Sequence, residues 1–120
     1  MSRKLTDLTP EMQKLYLAFD AHMRGAGIDY IVTCTRRTQE EQDALWEIGR
    51  TKPGRKVTWT RNSYHLTGKA FDIVIMENGK PEWQVENPDW MRAGEIGESI
   101  GLEWAGRFKR CKEFPHFQIT

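Results

Sequence analysis

The chain predicts an α+β fold, a small antiparallel sheet flanked by helices, on three observations. Three segments carry helix-start and helix-stop signals, short β-rich runs lie between and after them, and no repeat or Pro/Gly/Ser linker divides the 120 residues. Helices and antiparallel-capable strands in that mixed order build one core, so residues 1–120 are expected to form one domain without a second module.

The first helix is expected from Thr9, an N-cap followed by Pro10, to the stop at Gly25. Met12, Leu15, Phe19 and Met23 share one helical face and should be core, while His22 beside that stripe has no partner motif and reads as an ordinary histidine. Tyr30 to Thr35 is a short β-rich strand that delivers Arg36 and Arg37 to its end. Thr38 and Glu41 then form a capping box opening a helix with Ala44, Leu45 and Ile48, stopped at Gly49. Arg50 to Asn62, which contains Pro53-Gly54, reads as a long loop with a short strand around Val57 to Trp59.

Ala70 to Met76 has the length and composition of a buried central strand. Asn78-Gly79 is a turn signal, after which Pro81 to Val85 returns as an edge strand. Asn87 and Pro88 start a third helix carrying Ile96 and Ile100 and closed by Gly101. Leu102 to Trp104 and His116 to Ile119 complete the set as two short strands around the turn at Ala105 to Lys112.

Composition removes several classes of function. A net charge of +1, from 18 Lys and Arg against 17 Asp and Glu, lacks the basic excess of a dedicated nucleic-acid binder, and the clusters Arg36-Arg37 and Arg107 to Lys112 read as solvated surface. No segment has the apolar length of a signal peptide or a membrane span, so the chain is expected in the cytoplasm, without stable membrane insertion. Cys34 and Cys111 show no Cys-x-x-Cys spacing, which argues against a thiolate metal site, and both read as core or near-core residues.

The chemistry concentrates in two stretches. From Ser63 to Asp72 an imidazole, His65, and a carboxylate, Asp72, flank the glycine turn at Gly68. Asp72 interrupts an otherwise apolar strand, where an unpaired buried carboxylate would cost several kcal/mol or take up a proton. A bound dication removes that cost; so would an arginine partner or backbone donors, and the stretch alone leaves these alternatives open. Strand alternation puts Ala70, Asp72 and Val74 on one face, with the small Ala70 leaving room beside the carboxylate. In the second stretch, Glu113 to Gln118, Pro115 extends the backbone before His116. His65, Asp72 and His116 together would be three ligands with a fourth position open, as expected of catalytic zinc.

These residues resemble the zinc peptidases of peptidoglycan, which include D-alanyl-D-alanine carboxypeptidases, D-Ala-D-Ala dipeptidases and L-alanyl-D-glutamate endopeptidases used as phage endolysins. Ser63-x-His65-x-x-Gly68-x-Ala70-x-Asp72 looks like the family's first metal motif and Glu113-x-x-His116 like its second. Arg37-Thr38-x-x-Glu41-Gln42, the run Gly49 to Gly54, Val57-Thr58, Gly101 to Trp104 and Pro115 to Gln118 follow the endolysin branch in order. The resemblance implies a hedgehog/DD-peptidase-like fold, Zn2+ on His65, Asp72 and His116, Glu113 as general base, and Arg37 holding an oxyanion or a substrate carboxylate. Ser63, Tyr64 and Trp104 would contact substrate, with Trp59 and Phe117 as further groove aromatics or core.

The implied reaction is hydrolysis of the L-alanyl-D-glutamate bond of the peptidoglycan stem peptide by a monomer, with residues 1–120 expected to be its single catalytic domain without a separate cell-wall-binding domain. It would act on the wall from the host cytoplasm, after holin-dependent release during phage lysis. The alternatives are a D-alanyl-D-alanine carboxypeptidase and a non-catalytic peptidoglycan-binding domain of the same fold. Two positions depart from the endolysin pattern: Glu113 stands where Asp is usual, and Ala105-Gly106-Arg107-Phe108 replaces Gly-Gly-Asp-Trp. Both bear on substrate preference.

Overall fold

The computed structural model describes all 120 residues. Helix α1, Pro10–Gly25, is capped by the Thr9 hydroxyl, which accepts from the Met12 amide. Met12, Phe19 and Met23 are buried as their spacing predicts, but Tyr16 replaces Leu15 as the fourth fully packed position. Strand β1, Tyr30–Cys34, leads to α2, Gln39–Glu47, whose capping box is complete: Glu41 N–H donates to Thr38 Oγ1, and Thr38 N–H donates to Glu41 Oε1. The buried residue of α2 is polar Gln42, while Leu45 and Trp46 are only half-buried. No strand forms between Val57 and Trp59; this segment is a loop with a bend at Trp59.

Strand β2, Ala70–Glu77, is the axis of the sheet. It pairs antiparallel with β1 along one edge and shares its other edge between β3, Lys80–Glu82, and β5, His116–Gln118; β4, Glu103–Trp104, extends the sheet beyond β5. The turn into β3 uses Asn78 and Gly79, both at positive φ, as a two-residue hairpin requires. The edge strand is shorter than expected and ends at Glu82.

Helix α3, Pro88–Ser99, begins at the Asn87 cap and packs through Trp90, Ala93, Gly94 and Gly97. A methyl group on Gly94 would collide with the Trp104 indole, and one on Gly97 with the Phe117 ring, so two missing side chains let α3 lie directly on β4 and β5. Phe19 stands edge-on to Phe71, which stacks on Phe117, joining α1 to both strands at the centre of the core. Cys34 is buried, as expected for a core residue. Cys111 is not: it sits exposed at positive φ in the turn before β5, where no packed element covers it.

Candidate active site

Register assembles the centre. Asp72 lies opposite His116 on β5 and opposite Cys34 on β1, past an irregularity in β1 between Val32 and Cys34. His65 arrives from a short 3-10 helix, Tyr64–Thr67, started by the Ser63 hydroxyl, which accepts from the His65 amide. Gly68 closes that turn at φ 73, and an added Cβ would come 2.7 Å from the Asp7 carbonyl, so both conformation and space require glycine there. His65 is fully buried, and its carbonyl accepts from the Arg37 amide, tying the end of β1 to the same turn.

One oxygen of Asp72, Oδ1, lies 3.0 Å from His65 Nε2 and 3.0 Å from His116 Nδ1. The outer nitrogen of each ring is already committed. His65 Nδ1 is 2.8 Å from the Thr35 carbonyl, and His116 Nε2 is 2.7 Å from Gln118 Oε1. A carbonyl oxygen only accepts, so both outer nitrogens carry the N–H and donate. In neutral rings the two inward nitrogens therefore present lone pairs toward a carboxylate oxygen. That arrangement repels unless protons or a cation occupy the space between them, and the donor chemistry fits a divalent metal.

The electrostatics agree. Burial alone would depress the His65 pKa, but its hydrogen bonds with Asp72 and Cys34 hold it up at about 9. Burial works in the opposite sense on Asp72, yet His116 and His65 hold its carboxyl well below the usual carboxylate range. Cys34, His65 and Asp72 also offer ligand atoms within 4.8 Å of one another. Cys34 Sγ, however, stands 3.7 Å from His65 Nδ1, the nitrogen given to Thr35, and not at the Nε2 that meets Asp72.

The second oxygen of Asp72 accepts from Arg37 Nη2 at 3.2 Å, so the arginine partner and the imidazoles meet on one carboxylate. Arg37 Nη1 donates to Gln42 Oε1 at 3.1 Å, and the buried Gln42 amide in turn donates to Thr58 Oγ1 and the Thr60 carbonyl. Helix α2 thereby pins both Arg37 and the loop beside it. The sequence assigns no role to Gln42 or Gln118, and the sign it offers for them is their place in segments that resemble the endolysin branch.

Arg37, Asp72, Glu113 and His116 line one cleft of about 630 Å³, with Ser63, Tyr64, Trp59, Trp83 and Trp90 also on its wall. Glu113 is half-buried there; desolvation raises its pKa, opposed by the neighbouring His116. Trp104 does not reach this cleft. It is 1% exposed, packs under Gly94, and donates its indole N–H to the Phe114 carbonyl, because β4 turns that side chain toward α3. Phe117 is likewise core, and His22 is exposed on α1.

Comparison with known proteins turns this geometry into a family. The family model described as D-alanyl-D-alanine carboxypeptidase, of the M15 peptidases, matches residues 56–119. The chain belongs to the M15 peptidase family. It is 36% identical over 124 residues to the peptidoglycan L-alanyl-D-glutamate endopeptidase CwlK of Bacillus subtilis, covering 95% of this chain and 74% of that protein. It is 30% identical over 95 residues to the L-alanyl-D-glutamate peptidase of Listeria phage A118, covering 78% of this chain and 31% of that one. In fold it is similar to the L-Ala D-Glu endopeptidase ChiX of Serratia marcescens, with a TM-score of 0.77 and 24% identity over 97% of this chain and 83% of that chain. The D,D-dipeptidase VanXYg shares the fold at a TM-score of 0.62 and 17% identity, over 92% of this chain and 49% of that chain. The α+β, DD-peptidase-like architecture expected from the sequence is therefore the one this M15 member adopts.

Proposed function

We propose that this M15 peptidase is a zinc-dependent endopeptidase that hydrolyses the L-alanyl-D-glutamate bond of peptidoglycan stem peptides, the 120 residues working as one monomeric catalytic domain. The observation that carries the metal assignment is the convergence of His65 Nε2 and His116 Nδ1 on Asp72 Oδ1 while both outer ring nitrogens donate to carbonyl-type oxygens. His65, Asp72 and His116 would hold the ion. Zinc bound there supplies a Lewis acid for the scissile carbonyl and makes water acidic enough to be used near neutral pH.

The remaining steps belong to the protein. Glu113, in the cleft beside His116, takes a proton from the attacking water as the C–O bond forms, then returns it to the leaving amine as the C–N bond breaks. Arg37 uses one N–H on Asp72, one on Gln42 and its Nε–H on the Met1 sulfur, which leaves two of its five N–H donors for the developing oxyanion or a substrate carboxylate. Ser63 and Tyr64 contact the peptide from the wall.

The bond assignment follows the printed activities of the relatives from Bacillus subtilis and Listeria phage A118. One relative is bacterial and one phage-encoded; for this chain we favour lysis of the host wall from the cytoplasm after holin-dependent release. No helix is long and apolar enough to cross a membrane. The family description favours a second reading, removal of terminal D-alanine. Digestion of defined muropeptides followed by mass analysis separates them: a new N-terminal D-glutamate supports the endopeptidase, released D-alanine replaces it with the carboxypeptidase, and no product leaves a binding domain.

A further inference from the structure

Charge is unevenly distributed in this nearly neutral chain. Residues 50–62 carry Arg50, Lys52, Arg55, Lys56 and Arg61 without one carboxylate, and residues 107–112 carry Arg107, Lys109, Arg110 and Lys112, again without one. Half of the 18 cations thus fall in two short loops, and the rest of the chain is net negative. The two loops are not neighbours in sequence, yet both line the cleft that contains Asp72, Glu113 and His116. Lys52 pairs with Glu47, Arg107 pairs with Glu98, and Arg50 lies on the Trp46 ring while donating to the Trp46 and Thr58 carbonyls. Arg55, Lys56, Arg61, Lys109, Arg110 and Lys112 are exposed and make no ion pair, although Arg61 lies over the Trp46 ring and Lys56 over the Trp59 ring. Of these, Lys56 and Lys112 line the cleft itself, one from each loop.

Ammonium groups without a carboxylate partner on two loops around one cleft repel each other, and an anionic ligand bound between them relieves that repulsion. The hydrolytic reading above, on which this step rests, supplies the anion. Glutamate has two carboxyl groups, a chain link consumes one, and the other remains as a carboxylate beside the scissile bond unless it is amidated.

We infer that Lys56 and Lys112 make this peptidase selective for stem peptides whose side carboxylates are free over the same peptides with those groups amidated. Long exposed ammonium groups act here as point charges through solvent, so the selectivity falls on substrate capture and weakens with salt.

The test is a matched pair of synthetic stem peptides, carboxylate and amide, given to the zinc-loaded wild type and to the Lys56→Gln/Lys112→Gln double variant at low and high salt. The carboxylate peptide should have about a tenfold higher kcat/KM with the wild type, chiefly through KM, and the double variant or high salt should erase that preference. Equal kcat/KM for the two peptides, or an undiminished preference in the double variant, overturns the inference. So does a double variant that keeps the preference but loses retention on cell walls bearing anionic polymer, since the cations then serve that polymer. If the wild type cuts neither peptide, the hydrolytic reading fails separately. Binding of the intact peptides, followed by quenching of Trp59 in the cleft wall, then decides the carboxylate preference by the same tenfold criterion.

Discussion

His65 and His116, 51 residues apart in sequence, stand with ring centroids 5.0 Å apart and direct one nitrogen each at the same oxygen of Asp72. In metal-free protein this meeting must be held by protons. His65, with its pKa raised to about 9, is charged at pH 7, so zinc has to displace that proton and its affinity should rise with pH. Calorimetric titration in buffers of different ionisation heat should show proton release on zinc binding at pH 7. His65→Ala and Asp72→Ala should each lose both metal and activity; normal zinc stoichiometry and affinity in either variant refutes the ligand assignment.

The same shift sets the stability of the metal-free form. A histidine whose folded pKa lies above its unfolded value stabilises fully below about pH 6.5, and that contribution disappears as pH rises through about 9. The melting temperature of chelator-treated protein should therefore fall between those values more than that of His65→Gln. Parallel curves for the two proteins would contradict this.

Glu113→Gln should bind zinc as the wild type does and lose about 100- to 10,000-fold in kcat, because it removes the proton acceptor and none of the proposed ligands. Zinc content and turnover measured on the same preparation check it. Retained turnover excludes Glu113 from proton transfer.

Gln118 should control zinc through His116. Its Oε1 accepts from His116 Nε2, and its amide nitrogen lies 3.5 Å from Glu103 Oε1, so His116 Nδ1 is kept as the atom that faces inward. Gln118→Leu should weaken zinc binding about 10- to 100-fold, whereas Gln118→Glu, which keeps an acceptor, should restore much of it. A competition titration with a chromophoric chelator reads both.

Arg37→Lys keeps the charge but cannot serve Asp72, Gln42 and a substrate oxygen together. Its kcat/KM should fall about 100- to 1000-fold with zinc content unchanged.

Gly94→Ala tests the packing beneath the site. The added methyl group has no room against Trp104, and overpacking of this kind costs about 1–3 kcal/mol, measurable by denaturant unfolding.

The helix starts and the turn at the centre are legible in the residues alone. Thr9, Thr38 and Asn87 start the three helices because capping is settled by hydrogen bonds within a few residues, and the glycine turn between His65 and Asp72 is equally short-range. What each side chain faces depends on contacts made across the fold. Strand period suggests alternation in β2, but Phe71, Ile73, Val74 and Ile75 are all buried because helices and loops cover both faces, and Asp72 survives there through partners from three other segments. Trp104 went to the core and Cys111 to the surface for the same reason: burial depends on which element crosses over a residue. The groups that orient the histidines, the Thr35 carbonyl and Gln118, come from β1's end and β5, and no spacing rule shows that a main-chain oxygen 30 residues upstream will meet an imidazole. Short-range chemistry is written in neighbouring residues; orientation at the centre depends on contacts that exist only once the sheet has closed.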